Sequence, residues 1–113
     1  MITMTVLPHP AFGPLLQIDG LTRPALRLTL VEAQILSRAL QAVAQGRAPH
    51  GTDEIFMSPM ASDATFTGIV QDIGVQCPEQ LLSWSEVEAL AHQLQQAAVP
   101  HVPQEARDET PQA

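Results

Sequence analysis

The side chains that most often carry chemistry are few in this sequence and lie far apart. The four histidines are His9, His50, His92 and His101. None of them lies three or four residues from another or from Cys77, the spacing that places two metal ligands on one face of a helix. Cys77 is the single cysteine, so neither an intramolecular disulfide nor a cluster of thiolate ligands can form. We therefore expect neither a metal nor another cofactor.

Carboxylates and hydroxyl groups are present, but their positions have structural explanations. Paired carboxylates can act as general acid and general base. Four acids of the second half lie in predicted loops or at strand ends: Asp53, Glu54, Asp63 and Asp72. No serine has the setting of a nucleophile elbow, and Ser83 is explained as a helix cap. Cys77 precedes Pro78 at the end of a predicted strand, which is typical of a small packed residue. The sequence therefore favours a protein that is not an enzyme.

The elements that must position these side chains are written twice. An offset of 54 aligns residues 12–44 with residues 66–98 without a gap, and ten of the 33 pairs are identical. The identical pairs include turn and cap positions: Phe12 and Phe66, Gly20 and Gly74, Pro24 and Pro78, Glu32 and Glu86. Matches at such positions in one register indicate an internal repeat. Each copy is too small to bury a core alone, so we expect the two copies to share one.

Two helices are predicted at corresponding positions. Thr29 followed by Glu32 is a capping box, and the helix that it begins should end near Gln45, before Gly46. Ser83 and Glu86 repeat the box, and the second helix should run to about Ala98.

Three strands are predicted before each helix. In the first copy they are residues 2–7, residues 11–18 and a return strand from Leu21, and in the second they are residues 55–57, 64–71 and 75–77. The predicted fold class is therefore α+β, with two tandem β-β-β-α units packed about a pseudo-twofold axis and an antiparallel sheet with two helices. Residues 1–99 should form one domain of two repeats, 1–46 and 54–99, followed by a disordered acidic tail at 100–113.

The two predicted helices differ in one respect that concerns function. Both carry a normal apolar stripe, but the first carries a second one, formed by Val31, Ile35, Ala39 and Ala42. The corresponding residues of the second helix are mostly polar: Ser85, Ala89, Gln93 and Gln96. Either the first helix is central within the monomer, or the second stripe contacts a partner. Trp84 has the same two interpretations, as a core residue or as an anchor for a partner.

Composition and charge restrict the class of partner. The net charge is −7, and it is uneven: residues 1–52 hold four arginines and two acids, whereas residues 53–113 hold one arginine and ten acids. A chain without lysine and with scattered arginines is not expected to bind nucleic acid. No window is long and apolar enough to span a membrane, and the first residues do not resemble a signal peptide. A cytoplasmic protein is expected.

The sequence thus favours a small acidic, non-catalytic module that binds protein through helix faces or sheet edges. An adaptor, a chaperone or a protein inhibitor has this character, and a homodimer is expected among its assemblies. The alternative is a small-ligand-binding protein that uses the cleft between the two repeats. An enzyme of unknown type is the third interpretation.

Overall fold

The computed structural model describes residues 2–46 and 54–98, which form two consecutive units. The first unit contains β1 (Thr3–Leu7), β2 (Leu15–Asp19), β3 (Leu26–Thr29) and α1 (Leu30–Ala44). The second contains β4 (Glu54–Met57), β5 (Phe66–Gln71), β6 (Gly74–Gln76), β7 (Leu81–Ser83) and α2 (Trp84–Ala97). Each unit is an antiparallel sheet, ordered β1-β2-β3 or β4-β5-β6-β7, followed by a helix. The α+β fold of two similar units is confirmed, whereas the predicted tail lies outside the described residues.

Both helices begin as their sequences predict. The Thr29 hydroxyl accepts a hydrogen bond from the backbone N–H of Glu32, and the Glu32 carboxylate accepts one from the backbone N–H of Thr29. Ser83 and Glu86 make the same pair of bonds at the start of α2. These bonds to Ser83 lower the pKa of the Glu86 carboxyl. Gly46 follows α1 with φ +71°, a left-handed conformation that glycine adopts at little cost.

The second strand starts later than the sequence predicts. Residues 11–14 were expected within it, but β2 begins at Leu15. The His9 ring accounts for the difference, because its Nδ1 accepts hydrogen bonds from the backbone N–H groups of Ala11 and Phe12, at 3.0 and 3.2 Å. The backbone N–H of Gly13 also donates to the His9 carbonyl oxygen. A turn therefore occupies this segment, and its local hydrogen bonds replace those of a strand.

The return strands of the two units also differ. In the first unit, the strand expected from Leu21 begins only at Leu26 and pairs with β2. In the second unit, β6 confirms the predicted return strand, but β7 is an additional strand that the sequence did not indicate. Its cause is a tight turn at Cys77–Gln80 with Pro78 in its second position, where the Cys77 N–H donates to the Gln80 carbonyl oxygen at 2.8 Å. That turn folds β7 back onto β6.

The offset of 54 therefore describes only part of the structure. It relates β3 to β7 and α1 to α2, including both capping boxes. It does not hold for the first hairpins: shifted by 54, β1 would fall on residues 57–61 and β2 on residues 69–73, whereas β4 is Glu54–Met57 and β5 is Phe66–Gln71. Phe12 and Phe66, identical in the ungapped alignment, are consequently not equivalent: one lies in the exposed His9 turn and the other is buried in β5.

The two units share one hydrophobic core, as expected from their size. Its buried residues come from both sheets and both helices, including Leu16, Leu28, Leu36, Phe66, Val75, Leu82, Leu90 and Leu94. The helices pack against each other in opposite directions, since the Gln34 side chain near the start of α1 donates to the carbonyl oxygen of Ala98 at the end of α2. Neither of these helices is long and apolar enough to cross a membrane.

Candidate functional site

The second apolar stripe of α1, hereafter the α1 stripe, is formed by Val31, Ile35, Ala39 and Ala42. Val31 is 65% exposed and Ile35 49% exposed. Ala39 packs partly against the core, and Ala42 is half-buried. A central position within the monomer therefore explains Ala39 but not Val31 and Ile35, which project from the surface of one chain.

A loop between β4 and β5 is held against the N-terminal turn of α1. The backbone N–H of Met60 donates a hydrogen bond to Glu32 Oε2 at 3.0 Å, and the Met60 side chain is 70% exposed. The other carboxylate oxygen of Glu32 holds the cap of α1, so one side chain both starts the helix and secures the loop against its first turn. Ser62 secures the same loop to β3, because its hydroxyl accepts from the Arg27 backbone N–H at 3.1 Å. The backbone of Met60 is thus held at the N-terminal turn of α1, the turn that also contains Val31.

Sequence reasoning did not identify Met60 as a candidate. The only available signal was the position of residues 58–63 between a predicted strand and the strand that contains Phe66. Nothing in that local sequence specifies that the loop folds over the N-terminal turn of α1. The contact depends on a carboxylate that is 28 residues away in the chain.

The corresponding surface of α2 has a different chemical character. Ser85, Ala89, Gln93 and Gln96, which match the α1 stripe at an offset of 54, are all exposed. Only alanine among them is apolar, so this face is compatible with water. The predicted asymmetry between the two helices is therefore present on the surface of the chain and is not a difference in core packing.

Trp84, the remaining candidate, is half-buried and packs against the core. Its indole N–H donates to the carbonyl oxygen of Asp72 at 2.8 Å. The polar atom of this side chain is thus already used within the chain, in a contact that joins the start of α2 to the turn between β5 and β6.

A second apolar surface, which sequence reasoning missed, lies on the solvent-facing side of the second sheet. Cross-strand partners point to the same side of a sheet. The register joins Glu54 to Ile69, Ile69 to Gln76 and Gln76 to Leu81, so these residues form one row. Phe56 lies on the same side and is 62% exposed. We call this surface the β4–β7 outer face: Glu54, Phe56, Ile69, Gln76 and Leu81.

The first sheet is mostly polar on the equivalent side, where Leu7 and Leu15 are the apolar residues. Its outward residues include Thr3, Thr5, Gln17, Asp19 and Arg27. Arg27 Nε donates to Gln17 Oε1 at 3.0 Å, and Gln17 Nε2 donates to Asp19 at 3.4 Å. Thr5 faces outward in β1, the first strand of its sheet, as Phe56 does in β4. The second sheet therefore differs in exposing Phe56, Ile69 and Leu81 on this side, whereas Leu15 of the first sheet is buried.

A polar cleft of about 310 Å³ lies between the two helices. Its lining comes from the second half of α1 and the middle of α2: Gln41, Ala44, Gln45, Glu88, His92 and Gln95. Gln41 Nε2 donates to Gln95 Oε1 across the helix interface at 3.2 Å. This is the cleft between repeats that the sequence suggested as an alternative site, and its lining is richer in amide groups than in apolar side chains.

The residues that could perform chemistry do not converge in the part of the chain that the structure describes. Within residues 2–46 and 54–98, no three side chains of histidine, cysteine or acidic type are arranged to hold a metal ion. Cys77 is buried, and this burial raises its pKa to about 11, so that the nucleophilic thiolate is scarce at neutral pH. The candidate binding surfaces of this part of the chain thus include the two apolar faces, the helix cleft and a pocket of about 320 Å³ that Ile2 lines together with Leu82 and Leu90.

Comparison of the chain with models of protein families, with curated proteins and with solved structures finds no match.

Proposed function

We propose that this protein is a small non-catalytic interaction module that binds protein chains, copies of itself included, through the α1 stripe. The observation that carries the proposal is the exposure of Val31 and Ile35 on an otherwise well-packed helix. Side chains of this size are normally removed from water, and clusters of them on a surface indicate a contact site. Arg38, which is exposed on the same side of α1, supplies the polar contact that commonly accompanies such a cluster.

The energy available from the stripe is sufficient for a reversible complex. Burial of a large aliphatic side chain contributes roughly 1.5–3 kcal/mol relative to leaving it exposed, and alanine contributes less. Part of this gain is offset by the loss of translational and rotational freedom on association. An affinity in the micromolar range, about −8 kcal/mol, is the reasonable expectation when Met60 and the surrounding polar contacts contribute as well.

The test compares two variants at corresponding positions. Ile35→Glu places a charge in the centre of the α1 stripe, whereas Ala89→Glu places the same charge at the matching exposed position of α2. We expect the unmodified protein to self-associate in sedimentation velocity runs over a range of concentrations. Ile35→Glu should remain a folded monomer, and Ala89→Glu should associate like the unmodified protein.

Two results would contradict the proposal. One is a monomeric unmodified protein at every concentration together with no protein partner whose binding depends on Ile35. The other is equal association of the Ile35 and Ala89 variants. Far-ultraviolet circular dichroism distinguishes loss of association from loss of folding, since Ile35 is half exposed and its replacement should leave the helix intact.

A second candidate function, binding of a small polar ligand, rests on the cleft between the helices. Its volume lies at the lower end of the range for small-molecule sites. The glutamine amides, His92 and Glu88 could orient a ligand that offers both hydrogen-bond donors and acceptors. A thermal-shift screen of polar metabolites tests this function, and a stabilising compound should lose its effect in Gln95→Ala.

A further inference from the structure

The chain exposes two apolar surfaces of complementary shape. One is a helix stripe and the other is the uncovered side of an antiparallel sheet, and a helix laid on a sheet is a standard way to bury both. The sizes match, since four strands spaced about 4.8 Å apart give a face about 14 Å wide, and a helix with its side chains is about 10 Å across.

The charges of the two surfaces are also complementary. Arg38 is exposed on the side of α1 that carries the stripe. The described part of the second unit, residues 54–98, contains six acids and neither lysine nor arginine. One of these acids, Glu54, belongs to the same cross-strand row as Ile69 and Leu81. An arginine approaching this face therefore meets a carboxylate and a negative field.

The opposite arrangement, in which the α1 stripes of two copies face each other, lacks this complementarity. Arg38 lies near the middle of a stripe that extends from residue 31 to residue 42, so a twofold axis through the stripe brings the two Arg38 side chains within about one helical turn of each other. Like charges at that separation disfavour the contact. The sheet surface has no such conflict.

We propose that the α1 stripe of one copy of this chain docks on the β4–β7 outer face of a second copy. This inference rests on the proposed function, because it assumes that the α1 stripe binds protein, and it adds the surface that receives the stripe. The contact joins two different surfaces, so two copies that exchange contacts reciprocally form a closed dimer, whereas copies that do not close extend into a chain.

The experiment uses one variant for each surface and a matched control. Phe56→Glu damages the β4–β7 outer face, and Thr5→Glu places the same charge at an exposed, outward-facing position of the first sheet. In sedimentation velocity runs, Ile35→Glu and Phe56→Glu should each lower the association constant at least tenfold, and Thr5→Glu should not. A mixture of the Ile35 and Phe56 variants retains one intact α1 stripe and one intact outer face, so it should associate at concentrations where each variant alone is monomeric.

The outcomes separate this inference from the proposed function. If Ile35→Glu abolishes association but Phe56→Glu does not, the α1 stripe binds elsewhere and this inference is overturned while the proposed function stands. If Ile35→Glu has no effect, both fail. If each variant is monomeric and their mixture is also monomeric, the pairing of these two surfaces is excluded. Leu81→Glu, on another strand of the same face, provides a second variant should Phe56→Glu prove unfolded by circular dichroism.

Discussion

The hydroxyl of Ser37 donates a hydrogen bond of 2.7 Å to the carbonyl oxygen of Ala91, and these two residues occupy the same position in the two copies of the repeat. Gln41 and Gln95, also 54 residues apart, are joined in the same way. When equivalent residues of two units contact each other, the axis that relates the units passes between them. The two helices thus meet on a pseudo-twofold axis. The hydrogen bond between Ser37 and Ala91 is buried at this axis, and the one between Gln41 and Gln95 is exposed.

The bond between Ser37 and Ala91 should contribute measurably to stability. Ser37 is buried, and its hydroxyl also accepts a hydrogen bond from Gln41 Nε2 at 3.1 Å. We expect Ser37→Ala to lower the free energy of unfolding by about 1 kcal/mol, the usual net value of such a bond. Urea denaturation monitored by Trp84 fluorescence measures this change. An increase in stability would show that the Ser37 hydroxyl and its hydrogen bond do not stabilise the fold.

The pairing of β6 with the additional strand β7 should depend on a glycine. A Cβ atom at Gly74 would meet the carbonyl oxygen of Leu82 in β7, so the backbones approach more closely there than any side chain permits. We expect Gly74→Ala to destabilise the protein by about 3 kcal/mol or more, the upper range for overpacked sites. Gly13→Ala is the control, since φ is +76° but no atom lies within 4 Å of the added Cβ. It should cost only about 1–2 kcal/mol. Thermal unfolding compares the two, and equal losses would contradict the close approach.

Ionisation of the Cys77 thiol should lower the stability of the folded protein at alkaline pH. Burial raises the pKa of its thiol from 9.0 to about 11, so the folded protein keeps the proton in a range where the unfolded chain loses it. The resulting stability is fully present below pH 9 and is lost as the pH rises toward 11. The chain contains neither lysine nor tyrosine, which otherwise titrate in this range.

The measurement for Cys77 is the pH dependence of denaturant unfolding, made on the unmodified protein and on Cys77→Ala. The free energy of unfolding should fall between pH 9 and 11 in the unmodified protein and change much less in Cys77→Ala. Dithionitrobenzoate should react slowly with the folded protein at neutral pH and rapidly after unfolding, because the thiol is buried. Rapid reaction of the folded protein would instead indicate an accessible thiolate.

Local sequence was sufficient to predict the helices but not all of the strands. A capping box places its partners three residues apart, so Thr29 and Ser83 begin helices by contacts that the sequence states directly. A strand is defined by a partner elsewhere in the chain. β2 starts late because the His9 ring accepts hydrogen bonds from the amides that follow it, and β7 forms because the turn at Pro78 reverses the chain. Neither contact is part of the alternating pattern from which strands are predicted.

The same distinction applies to the candidate surfaces. The α1 stripe was visible in the sequence because helical periodicity places Val31 and Ile35 on one side of α1. Phe56 and Ile69 showed no such pattern. Each belongs to a short apolar strand that could face either the core or the solvent, and a shift of one residue in register reverses the two sides.

The sequence by itself determined the α+β class, the two capped helices, their chemical difference and the lack of a conventional catalytic pattern. These properties arise from contacts between near neighbours or from side-chain types alone. Only the tertiary structure decided that Val31 and Ile35 remain exposed, that the Met60 backbone is held at the start of α1, and that Phe56 and Ile69 face outward. Burial depends on which distant segments pack together, and the offset of 54 could not supply that information because β4 and β5 do not lie 54 residues after β1 and β2.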